Sequence, residues 1–132
     1  MATSNAFSDY AENAVLNHVF GATAFVQPVR YLGLFTAAPT DAAGSGTEIL
    51  TGSWYVRKII TFDPAVNGTV SNSATIDYGQ VTGSAVTITN WAIFDAVTGG
   101  NMIAYGDFGG GQTASPGNNV VIKNNTISFT LN

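Results

Sequence analysis

The sequence predicts an all-β protein: an antiparallel β-sandwich, jelly-roll-like, of about eight strands with one short N-terminal α-helix. Three observations predict it. Short apolar and β-branched runs recur between turn residues such as Asn67-Gly68, Thr98-Gly99-Gly100-Asn101 and Ser115-Pro116-Gly117-Asn118. Helix and strand patterns do not alternate, which argues against an α/β fold. No repeat of fixed period is present, which argues against a solenoid. The 132 residues fit a single domain, 1–132, with 1–29 as a helix and arm and 30–132 as the sandwich.

The first element is helical. Ser8 or Asp9 caps it, Glu12 sits in the first turn and Gly21 ends it. Ala11, Val15, Leu16, Val19 and Phe20 recur at helical spacing and form an apolar stripe. A helix of about twelve residues does not hold alone in water. It must dock on the β-domain or on a neighbouring subunit, which makes Val15, Leu16, Val19 and Phe20 the candidate subunit-contact residues.

Strand patterns follow. Residues 31–35 form a short apolar strand, and residues 36–47 read as a long loop rich in Ala, Gly, Pro and Thr. Residues 54–62 alternate and predict a strand, which Asp63-Pro64 stops because proline lacks a ladder donor. Short strands are expected at 69–72 and 74–78, after the Asn67-Gly68 turn. Residues 85–95 give the strongest strand. Its apolar parity switches near Asn90, which predicts a β-bulge. A hairpin at 98–101 brings residues 102–108 back. Gly109-Gly110-Gly111 begins a loop, and residues 120–122 and 126–131 complete the sheet.

Composition limits function. Only 9% of residues are charged, against roughly 25% in an average domain. Small monomers use charged surfaces to stay apart in solution. A surface of short neutral side chains instead suits a protein held in a large assembly. The net charge is −4, and four basic residues (Arg30, Arg57, Lys58 and Lys123) do not make a phosphate-tracking stripe. Nucleic-acid binding is disfavoured. No run of 18 apolar residues exists to span a membrane. The first ten residues lack the pattern of a secretory signal, so synthesis in the host cytoplasm is expected.

Chemistry is sparse. Cysteine is absent, which excludes thiol catalysis and Cys-ligated metals. His18 is the single histidine, on a short helix near the terminus, and no Gly-x-Ser-x-Gly turn accompanies it. It reads as a helix-end residue. Gly44-Ser45-Gly46 lacks the third glycine and the Lys-Ser/Thr end of a phosphate loop. The eight acidic residues are spread singly, and Asp63 and Asp95 stand beside turn residues. Asp41 and Glu48 with loop carbonyls offer oxygen ligands for calcium, but at a spacing unlike an EF-hand. No acid, base and orienter assemble into a set. The expectation is a non-enzyme without cofactor or metal. The aromatic residues, among them Trp54, Tyr55, Tyr78, Trp91 and Phe94, fall mostly within strands and are expected in the core.

An ordered series of motifs carries a resemblance. Tyr31-Leu32-Gly33-Leu34-Phe35-Thr36-Ala37-Ala38-Pro39-Thr40-Asp41 leads to Gly44-Ser45-Gly46-Thr47-Glu48, then to Gly52-Ser53-Trp54-Tyr55-Val56-Arg57. Later comes Thr89-Asn90-Trp91-Ala92-Ile93-Phe94-Asp95-Ala96, ending in Thr98-Gly99-Gly100-Asn101. Over residues 31–131 the chain resembles small virion structural proteins of tailed phages, with Trp54-Tyr55-Val56 and an added N-terminal helix as departures. The resemblance implies a β-sandwich in the virion. A head-decoration (cement) protein on the capsid surface is expected, bridging neighbouring major capsid protein subunits and pairing with copies of itself as a homodimer or homotrimer. The alternative is a tail or tail-fibre component, including a receptor- or carbohydrate-binding module.

Overall fold

The computed structural model describes residues 5–42, 45–52 and 54–131. The expectations that touch residues 1–4, Gly44 and Ser53 lie outside the described residues. Along the chain run β1 (Ala6–Phe7), α1 (Asp9–Phe20), β2 (Tyr31–Ala37), β3 (Thr47–Glu48), β4 (Lys58–Ile59) and β5 (Thr69–Ser71). Then come β6 (Ile76–Gln80), β7 (Val86–Phe94), β8 (Met102–Ala114), β9 (Asn119–Ile122) and β10 (Ser128–Thr130). The antiparallel, sandwich-like all-β architecture is as the sequence predicts, with ten strands among the described residues.

One six-stranded sheet has the order β1-β8-β7-β2-β3, with β4 also on β2, and every pairing is antiparallel. Two small sheets, β5 with β10 and β6 with β9, supply the facing layer. The core lies between the layers. Leu32, Leu34, Trp91, Ile93 and Ala104 from the large sheet pack with Ile76, Tyr78, Val120, Ile122 and Phe129 from the small ones. The Trp91 ring meets Phe129 edge to face at 5.3 Å. Leu32 and Leu34 are fully buried, each worth about 1.5–3 kcal/mol relative to exposure.

The back of the large sheet is also covered. Phe35, Ala92, Met102 and Tyr105 form a second cluster there, flanked by Phe94. Central parts of β2 and β7 are thus buried on both faces. This explains their near-continuous apolar runs in place of alternation.

The bulge expected near Asn90 is present. Ile88 pairs with Gln112 and Asn90 with Asp107, so two steps along β7 face five along β8. Gly109 and Gly110, both at positive φ, take up the excess. Residues 109–111 therefore belong to β8 and not to a loop, a correction to the sequence reading. The Asn67-Gly68 turn also forms, both residues at positive φ, with Val66 and Thr69 exchanging backbone bonds.

The expected strand at 54–62 shrinks to β4. Tyr55 and Arg57 are held by their side chains, described below, and the Gly52 N–H closes a turn on the Tyr55 carbonyl. Side-chain anchoring replaces the ladder there. Residues 120–122 and 126–131 do not pair with each other, since β9 joins β6 and β10 joins β5. Asn72 holds the connection between them. Its fully buried amide donates to the carbonyls of Ala74 and Lys123 and accepts from the N–H groups of Thr126 and Ile127. β1 and β3 are too short to leave a periodic signal, and the sequence does not announce them.

Candidate functional site

Two features stand apart from ordinary packing: the N-terminal helix with the arm that follows it, and a polar clamp on the back of the large sheet.

The helix begins where expected. Ser8 is the N-cap and Gly21 the C-cap. Ser8 does more than cap. Its hydroxyl accepts from the Ala11 N–H at 3.3 Å and donates to the Met102 carbonyl, and its N–H donates to the Ile103 carbonyl at 2.9 Å. The preceding residues pair with β8, Ala6 opposite Tyr105 and Phe7 opposite Ala104. Phe7 stacks on Phe129 at 5.9 Å. The helix start is thus fixed to the sandwich.

Beyond that start the helix leaves the domain. Ala11 is its one buried residue. Val15 is half-buried, whereas Leu16, Val19 and Phe20 face solvent, Phe20 at 83% exposure. The sequence signal found this stripe. It did not mark Val26 and Val29, which the arm, residues 21–30, adds to the exposed surface. The arm has no apolar periodicity to reveal them. Phe25 pins the arm to the helix: its N–H donates to His18 Nδ1 at 3.0 Å and its ring meets Tyr10 edge to face. His18 is a structural acceptor at the helix end.

The clamp gathers the motif residues. Arg57 Nε donates to Glu48 Oε2 and Arg57 Nη2 to Glu48 Oε1, both at 2.8 Å. The guanidinium lies 3.5 Å over the Phe94 ring, and its Nη1 donates to the carbonyls of Ala96 and Gly99. Asp95 closes the same hairpin by accepting from the backbone and side-chain nitrogens of Asn101. A Cβ at Gly33 would stand 2.8 Å from Glu48 Oε2 and would force the carboxylate to shift in its bonds to Arg57 and Tyr55. Tyr55 donates to Glu48 Oε2 at 2.6 Å. Burial, then the bond to Glu48, pushes the Tyr55 phenol far above its ordinary value, and burial does the same to Tyr78.

The clamp fastens β3, the segment around Tyr55 and Arg57, and the hairpin after β7 to one another. Its carboxylate is saturated by an arginine and a tyrosine. Asp41, the other calcium candidate, accepts from the Tyr105 hydroxyl. Among the described residues no group of three His, Asp or Glu side chains is placed to hold a metal ion. A cleft of about 450 Å³ runs beside the arm, lined by Phe7, Arg30, Phe62 and Phe129 among others. No helix among the described residues is long and apolar enough to cross a membrane.

Residues 6–130 match the protein family described as Podophage GP4 fiber I protein gp80. No curated protein matches the chain.

Proposed function

The chain belongs to this family of podophage fiber proteins and is a phage structural protein; from that premise we propose that it is a component of the tail fibre apparatus, held there by its N-terminal helix and arm. The single observation that carries the placement is the family match, which covers nearly the whole chain. It favours the tail component over the head-decoration protein expected from the sequence. Low charge and neutral loops suit either address and do not choose between them.

The mode of action is packing without catalysis. The sandwich is a rigid block fastened by the clamp, and the exposed apolar residues of the helix and arm are its contact surface. Each contact is small, but several on one particle act together through effective concentration. The carboxylates Glu48, Asp41 and Asp95 are each engaged within the fold, which supports a protein without an active site.

Localisation on purified particles tests the placement. A few to dozens of copies per particle at the tail are expected. Hundreds of copies over the head shell would restore the decoration reading. The contact surface is tested by complementing particles with a Phe20→Ser, Val26→Ser double variant. Uptake should fall sharply, and full occupancy would remove the helix and arm from the interface.

A further inference from the structure

We infer that residues 5–20 exchange between two copies of the chain, so that β1 and α1 of each copy seat on β8 of the other and residues 21–30 cross between them. This names the partner of the contact surface proposed above and rests on that reading.

Every copy carries both the segment and its seat. The seat is specific. It comprises the two-residue pairing with β8, the Ser8 bonds to the Met102 and Ile103 carbonyls, the Phe7 stack on Phe129, and a bond from Asn5 Nδ2 to the Ser128 carbonyl at 2.8 Å. A second copy's segment makes the same contacts without any rearrangement of the seat, which is the condition for exchange.

The connection permits it. Residues 21–30 form neither helix nor strand. Their backbone bonds run back into the segment, Gly21 to Asn17 and Phe25 to His18, or lie at the far end, where the Ile60 N–H donates to the Arg30 carbonyl. Ten extended residues span about 33–36 Å. That is more than twice the roughly 14 Å radius of gyration of a domain this size.

Charge selects a copy of the same chain as the partner. Residues 13–29 contain no Asp, Glu, Lys or Arg. Across a two-fold axis a surface meets itself, and any fixed charge near the axis faces its own like. This stretch is free of that repulsion, yet it exposes Leu16, Val19, Phe20, Val26 and Val29. Exchange lays two helices and two arms together and covers these side chains.

The chain has no cysteine, so an A6C/Y105C variant carries one defined pair. These residues are direct antiparallel partners, whose Cα atoms stand about 4.5–5.5 Å apart, within disulfide reach. After oxidation, a denaturing non-reducing gel should show a band at twice the chain mass that reductant collapses, and light scattering of the unaltered protein should give two chains. A single-chain band with no free thiol overturns the exchange, whatever the mass of the unaltered protein. A single-chain mass for the unaltered protein overturns it even if the variant fails to fold. Loss of particle uptake by the Phe20→Ser, Val26→Ser variant together with an intrachain disulfide would sink the exchange alone and leave the contact surface standing.

Discussion

The Tyr55 hydroxyl stands where a strand would, accepting the Leu34 N–H at 2.9 Å. β3 and β4 pair with the two ends of the same β2 edge and leave its middle open. Buried backbone groups there need partners. Tyr55 supplies one, and the Tyr78 hydroxyl supplies another by donating to the Leu32 carbonyl at 2.6 Å. The two rings stack at 5.8 Å.

Replacing Tyr55 with Phe therefore orphans a fully buried N–H and also removes a donor from Glu48. The expected loss is about 1–3 kcal/mol, or roughly 3–10 °C in thermal midpoint for a domain of this size. Differential scanning calorimetry measures it. A midpoint within 1 °C of the unaltered protein, roughly the error of such a scan, would show that the bond contributes nothing net.

Alkaline titration should find Tyr55 and Tyr78 resistant to ionisation while the protein stays folded. Tyr55 and Tyr78 have phenols raised in the fold, chiefly by burial. The unfolded chain ionises near the ordinary 10.0, so the unfolded state loses protons first. Their contribution to stability is complete below that pH and declines as pH rises above it. Absorbance near 295 nm should report these two ionising only together with loss of the folded circular-dichroism signal. Their titration in a still-folded protein would contradict their burial.

Arg57→Lys should not preserve the clamp. A lysine offers no planar fork for the Glu48 carboxylate and does not lie flat on Phe94. The Arg57 side chain is 8% exposed and that of Glu48 23%, so the pair is nearly buried but not dry. Breaking it should cost about 2–4 kcal/mol, less than a fully buried pair. Urea melts would show this as a lower midpoint with an unchanged slope. Equal stability of the lysine variant would mean that the fork geometry is irrelevant.

The helix surface should behave in the opposite way. Phe20→Ser and Val26→Ser replace side chains that are 83% and 84% exposed. Each should alter the stability of the separated single chain by no more than about 0.5 kcal/mol. Leu32→Ala, in the core, should cost about 2–5 kcal/mol. If the two surface changes destabilise the isolated chain as much as the core change, their role is folding and not contact.

Much of the fold was legible because its signals are local. The Ser8 cap and Gly21 stop bound a helix that runs from Asp9 to Phe20. Asn67-Gly68 makes its turn because both residues tolerate positive φ. The parity switch at Asn90 marks the bulge because side chains in a strand alternate with period two. The apolar helix stripe was legible for the same reason, since periodicity declares a face.

Periodicity does not declare what that face meets, and this the tertiary structure decided. It turned Leu16, Val19 and Phe20 away from the domain's own core and left Val15 half-buried. It also converted the expected strand at 54–62 into side-chain anchors and drew Gly109–Gly111 into β8, because partners distant in the chain supplied or took up the hydrogen bonds. Glu48, Tyr55, Arg57 and Phe94 were visible in sequence only as ordered motifs. Their meaning as one clamp came from space: an ion pair, a phenol and an aromatic face act through distances of a few ångströms, and the chain order of Glu48 and Phe94 does not encode their meeting.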